Sequence, residues 1–597
     1  MVVALSIACS VLGGCSCFSS STCSPSNCTG CCDNANICHG GTSDNACGTG
    51  ANRCDVCGGG QSCNGSCRSG GDGGSVGGAG DGGSVGGGGG SDGGGVVVVG
   101  GTDGGNLGDK TISGRMTYQR VGSDFTPGST TATLNFAAST QKPLRNTEIQ
   151  VIQGTTTIGL TSTDADGRYS VAYHPTGTTE VRLYVLARTT KPVIQVQDNT
   201  DGKATYAVYG VIGTKTTLDI DFPTGWAGTT FDESARFASP FAVLDTMYTS
   251  AQAFIAVRPN VIFPPLKVNW SPNNVPQTGD KAQGQIGTSH FNRTENEIYV
   301  LGKAGADIDE FDDHVIAHEW GHYFEANLSR SDSPGGRHGP GDILDPRIAF
   351  GEAWGNALSA MVLKNPIYFD CTWGNTGLRC FGWNSETEPV PSDDTTPSAF
   401  SESSVLRALY DVYDAPSGAE PYDGVSLGLG PIYDTMVGPE KTTDSVTTLA
   451  SFITGLKAQP GVNATAVDTL LAHWNIGSIR SQFGVDDPLL SDMFTNALTL
   501  PFNGGIDLGG GNLPNTWQQN QYYVFVGTGG MLNIAASSQY DVAINVYESG
   551  KLVGTSDKNE TGTETIALTS KKDAVYVLVL TGFGTITGDY NVAITIQ

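Results

Sequence analysis

The stretch Asp312-Asp313-His314-Val315-Ile316-Ala317-His318-Glu319-Trp320-Gly321-His322-Tyr323-Phe324-Glu325 decides how the middle of this chain is read. Acidic residues at its start favour a helix N-terminus, where carboxylates face the positive end of the helix dipole. On a helix, residues four apart share a face, so His318 and His322 reach toward one point. Glu319 sits one step round, where its carboxylate can meet water at that point without ligating a metal itself. Ile316, Ala317, Trp320, Tyr323 and Phe324 put apolar surface on every side, which suits a buried helix better than a charged surface helix. His314, one turn before His318, reads as a packing or capping residue.

A catalytic zinc needs a third protein ligand and an open position for water. The chain offers one in Ala349-Phe350-Gly351-Glu352-Ala353-Trp354-Gly355-Asn356-Ala357-Leu358-Ser359-Ala360-Met361, a second helical stretch whose Gly, Ala and Ser residues allow close approach to the first. Glu352 stands among small and apolar residues, where an unpaired carboxylate is costly to bury, and zinc would supply its partner. Asn356, one turn on, is spaced to accept a hydrogen bond from the free ring nitrogen of a ligand histidine.

His-Glu-x-x-His followed by a distant Gly-Glu on a second helix resembles the gluzincin class of zinc peptidases, the thermolysin-like arrangement, over roughly Ile298 to Met361. The resemblance implies Zn2+ held by His318, His322 and Glu352, with Glu319 as general base in the hydrolysis of peptide bonds. The family commonly has Asp where this chain has Asn356. Glu297-Ile298-Tyr299-Val300-Leu301-Gly302 resembles the edge strand on which such enzymes lay an extended substrate.

Between the two helices, the turn-rich run from Arg330 to Asp342 holds His338, a rival ligand or a transition-state donor. A metzincin would need its third His at position 328, which is Leu328 here. Tyr410 and Tyr413 on a further helix, and His473, are other candidate donors that the sequence does not rank. Cys371 and Cys380 bracket a short Gly-Asn loop and are spaced for a local disulfide.

Farther out, composition bounds the whole. A length of 597 residues exceeds one hydrophobic core, and a formal charge of −27 excludes a nucleic-acid partner, which needs clustered Lys and Arg. Thirteen of the 15 cysteines precede residue 68, a distribution that indicates an oxidising compartment. Residues 1–14 read as a signal peptide, and Leu12-Gly13-Gly14-Cys15 resembles the bacterial lipobox, which implies lipidation of Cys15 and outer-membrane delivery. The membrane contact expected is that anchor alone, on a monomer.

Residues 15–68 read as a cystine-rich segment too poor in apolar residues to build a core, and 69–108 as a Gly-rich flexible linker. Residues 109–222 show short alternating runs broken by turns, a β-sandwich pattern. Thr163-Asp164-Ala165-Asp166-Gly167-Arg168-Tyr169-Ser170 resembles the turn of carboxypeptidase-regulatory-like modules. Residues 230–500 hold the zinc motifs, and 505–597 return to strand composition and resemble the pre-peptidase C-terminal domain. The fold expected is multidomain: a mainly α (α+β), zincin-like catalytic domain flanked by two β-sandwich domains, after a disulfide-rich N-terminal segment. The function expected is zinc-dependent peptide-bond hydrolysis on proteins or peptides at the cell surface. The alternative is a surface adhesion or binding lipoprotein whose zinc site is structural or inactive.

Overall fold

The computed structural model describes residues 109–597 except 340, 375–376, 387–393, 395, 417–419, 485–493, 510–514, 559–560 and 584–589, together with short strand pairs between residues 31 and 69. The signal peptide, Cys15 and the Gly-rich linker lie outside the described residues, as do the cysteine side chains before residue 69. Residues 1–100 and 101–597 form two units. In the first, Cys31–Cys32 pairs antiparallel with Cys38–His39 and parallel with Asn52–Arg53, and Gln61–Cys63 pairs with Cys67–Ser69.

In the second unit, more of the described chain lies in strands than in helices, which corrects the expected mainly α fold. The expected division into a helical domain between two separate sandwiches also fails. Val193–Asp198, from the region read as a sandwich, pairs parallel with Leu266–Trp270, which pairs parallel with Glu297–Val300. One sheet therefore runs from the early strands Thr147–Gln153 and Val181–Thr190 to Glu297–Val300 and His290–Asn292, and one apolar core spans these strands and the helices that follow. Parallel pairing between distant segments leaves no local trace in a sequence.

The sheet ends on His290–Asn292, antiparallel to Glu297–Val300. The edge is thus His290–Asn292, and the strand expected at the edge lies one place inside. Its four residues are all buried, with Glu297 held by Lys203 at 2.7 Å.

Four helices position the site: α1 (Ala238–Val257), α2 (Asp313–Leu328), α3 (Pro346–Leu363) and α4 (Glu402–Tyr413). Helix α2 packs on α1, α3 and the last strands of the sheet, and α3 packs on α4. Asp313 opens α2 paired to Arg120 and takes the Thr246 hydroxyl at 2.7 Å, so the first strands of the unit and α1 fix the start of α2. Asp345 caps α3 by accepting from Arg347 N at 2.9 Å and from the Tyr522 hydroxyl at 2.5 Å, which ties the C-terminal strands to α3. Gly321 and Gly355 stand where these helices come closest: a Cβ on Gly321 would lie 3.0 Å from Gly355 Cα.

The C-terminal strands fold around Met531–Glu548. One end of this long strand pairs with Val575–Gly582 and the other with Tyr590–Ile596 and Thr561–Thr569, enclosing a second apolar core. After α3, Ile367–Gly374 and Gly377–Asn384 form a hairpin closed by a Cys371–Cys380 disulfide.

Candidate metal centre

The helical spacing of α2 turns His318 and His322 to one side, and the close approach of α3 brings Glu352 against them. Glu352 Oε2 lies 3.3 Å from Nε2 of each histidine, and the two Nε2 atoms are 3.0 Å apart. These separations are close to the edges of about 3.3 Å that a tetrahedral zinc with bonds of about 2.0–2.1 Å sets between its ligand atoms. Two imidazole nitrogens and a carboxylate facing one another also form the donor set zinc prefers, so the residues fit the ion.

The back of His318 is held through two side chains in series. His318 Nδ1 bonds Asn356 Oδ1 at 2.8 Å, and Asn356 Nδ2 donates to Glu402 Oε1 at 2.6 Å. That second bond fixes which way the amide points, because only its nitrogen can donate to a carboxylate. Glu402 thus supplies, through Asn356, the negative charge that an aspartate would place directly behind the histidine. Its position at the start of α4, beside the N-cap Ser401, is the one sequence signal for it; nothing there links it to Asn356.

Glu319 is 7% exposed, and its Oε2 accepts the Phe291 backbone N–H at 2.7 Å. The expected base is therefore oriented by the edge strand of the sheet. Gly355 lies directly under His318: a Cβ there would come within 2.8 Å of the ring. The sequence showed small residues in α3, but not which one the ring needs.

His338 enters from the loop between the helices, its Nδ1 3.0 Å from Glu402 Oε2 and its Nε2 3.4 Å from Glu352 Oε2. Burial alone would lower its pKa, but the Glu402 bond and the Glu352 charge outweigh it and hold His338 up to about 9. The same contest at His322, burial against the charge and hydrogen bond of Glu352, ends with the histidine raised to about 10. Glu352 shows the counterpart: burial opposes its charge, yet the two histidines hold it well below the usual carboxylate range.

The other candidates stand apart. Tyr410, Tyr413 and His473 do not line the cleft; Tyr413 donates to Met361 O at 3.2 Å, and His473 stacks on Tyr422. His314 is buried with Nδ1 3.0 Å from Ser359 Oγ, and burial, then the Arg120 charge, lowers it to about 3. The cleft encloses about 700 Å³ and is walled by His290, Phe291, Tyr368, Trp383 and the His338 loop.

No protein-family model matches the chain, and no curated protein matches it. Among solved structures, part of it is similar to the pre-peptidase C-terminal domain of a collagenase from Bacillus anthracis. That match has 15% identity, covers 17% of this chain and 93% of that one, and has a TM-score of 0.14. PliG, a periplasmic inhibitor of g-type lysozyme from Aeromonas hydrophila, is 12% identical over 18% of this chain and 95% of its own, with a TM-score of 0.13. A β-glucosidase from Paenibacillus barengoltzii is 9% identical over 81% of this chain and 69% of its own, with a TM-score of 0.10. These scores carry no argument about activity.

Proposed function

We propose that this chain is a zinc-dependent peptidase of the gluzincin arrangement that hydrolyses peptide bonds in proteins or peptides at the cell surface. One observation carries the reading: His318, His322 and Glu352 converge beside the buried carboxylate of Glu319 in one cleft. Zinc, when bound, supplies a Lewis acid that polarises a carbonyl and brings the pKa of water toward about 7. Glu319, held by Phe291 N–H, takes the proton from the attacking water and returns it to the leaving amine. His338 donates to the oxyanion that develops; its bond to Glu402 keeps the ring facing Glu352. Asn356 and Glu402 keep His318 in the tautomer that leaves Nε2 free for the metal.

The surface location rests on Cys15 and the cysteine-rich start of the chain. No helix among the described residues is long and apolar enough to cross a membrane. Zinc content and casein hydrolysis, measured before and after treatment with a chelator and again after zinc is restored, test the function. The reading expects hydrolysis that vanishes and returns with the metal. Stoichiometric zinc without cleavage of any protein or peptide would favour the surface-binding alternative.

A further inference from the structure

A second group of side chains opens on the same cleft and plays no part in the zinc chemistry. Asp307 and Asp309 are alternate residues of one extended segment, so they share a face. Asp307 pairs antiparallel with Thr372, on the hairpin strand Ile367–Gly374 that also carries Asp370. One carboxylate oxygen from each of Asp307, Asp309 and Asp370 lies within 4.8 Å of the others. Like charges this close repel, and burial strengthens the repulsion.

Hydrogen bonding relieves it only in part. Asp309 is 3% exposed and its Oδ2 takes the Ser289 hydroxyl, but its Oδ1 is buried without a hydrogen-bond partner. Oδ1 of Asp307 and Oδ1 of Asp370 are buried in the same unpartnered state. Asp312, fully buried at the start of α2, spends Oδ2 on Cys371 N at 2.8 Å and also leaves Oδ1 without a partner. A buried polar atom without a partner costs stability, and here several carboxylate oxygens share that condition in one place. No Lys, Arg or His forms an ion pair with Asp307, Asp309 or Asp370 among the described residues.

We infer that Asp307, Asp309 and Asp370 bind a hard divalent cation of the calcium class, separate from the zinc centre. An all-oxygen, carboxylate-rich set suits calcium, whereas zinc favours the imidazoles on the other wall. The cation also has a structural task. It ties the strand that leads into α2 to the hairpin that follows α3, and so clamps the ends of the two helices that carry the zinc ligands.

Terbium is the probe, since it replaces calcium and is sensitised by nearby aromatic rings. Tyr368 and Trp383, stacked at 4.0 Å between ring centres on the same hairpin, line this cleft. In the zinc-loaded full chain, terbium should give saturable sensitised emission that calcium displaces, and calcium should raise the melting temperature by several degrees. Asp309→Asn and Asp370→Asn should lose both responses. Asp307→Asn, at a half-buried position, serves if either variant fails to fold. His318→Ala should lose zinc and keep the emission. Emission that survives all three Asp→Asn changes, melting that ignores calcium, or loss of emission with the zinc would each overturn the assignment. Stabilisation by arginine amide in place of calcium would also overturn it, assigning the pocket to a basic substrate side chain.

Discussion

Two clusters of ionisable groups share one cleft and differ in how their atoms are satisfied. Around His318, His322 and Glu352 there is an outer chain, Asn356 to Glu402 to His338, that fixes ring orientation. Around Asp307, Asp309 and Asp370 there is the reverse, carboxylate oxygens facing one another with Oδ1 atoms left unpartnered. The first cluster is organised in advance for its ion, and the second depends on one arriving. The zinc centre should therefore keep its shape without metal, while the acidic cluster should gain order from its cation.

The largest effect should come from Glu352→Ala, which removes a ligand held against both histidines. Stoichiometric zinc should be lost on dialysis, measured by elemental analysis, while His338→Ala should keep it. The opposite pair of results would move the third ligand to His338. Next comes Gly355→Ala, whose methyl group would press on His318 at 2.8 Å. Zinc affinity should fall even though no ligand has changed, and unaltered affinity would show that the helices can part without cost.

A smaller loss tests the outer chain. Asn356→Ala should weaken zinc binding by about 10–100-fold, and Glu402→Gln by less, because the amide still has an acceptor. Competition with a chromophoric chelator reads both. Equal affinities in all three proteins would make the chain ornamental.

The smallest effect is a control outside both clusters. Asp411 is buried and held up to about 8 by that burial, although the Trp474 indole N–H donates to it at 2.8 Å. Its folded pKa lies above the unfolded value of about 3.9, so its contribution to stability is complete below that value and is lost as pH rises through about 8. Asp411→Asn keeps an acceptor for the indole and removes the titration. Its melting temperature should fall less than the parent's between about pH 5 and about pH 9.

The contrast between the clusters also explains what the sequence could reveal. His318, Glu319 and His322 are neighbours on one helix, so their geometry follows from helical spacing alone. Glu352 could be chosen because a lone acid among Gly and Ala needs a partner. The Asp cluster has no such local mark: it exists only because Asp307 pairs with Thr372 across a hairpin that lies beyond α3. Glu402 was hidden in the same way, since its role depends on α4 packing against α3. The fold shows the same division. Alternation marked strand runs at Thr111 to Gln119 and Glu148 to Ile152, but the parallel join of Val193–Asp198 to Leu266–Trp270 merged what reads as two domains into one sheet. The pull of two long helices toward a mainly α reading passed over the short strand His290–Asn292, whose Phe291 N–H orients the base.

Glu319 gives the most direct test of the central claim, because it touches the chemistry without holding the metal. Zinc per chain and the rate of peptide hydrolysis should be measured on Glu319→Gln beside the parent. The account predicts unchanged zinc and a rate at least about a hundredfold lower, the loss of about 3 kcal/mol of transition-state stabilisation from general base catalysis. Cleavage by Glu319→Gln at the parent's rate would contradict it.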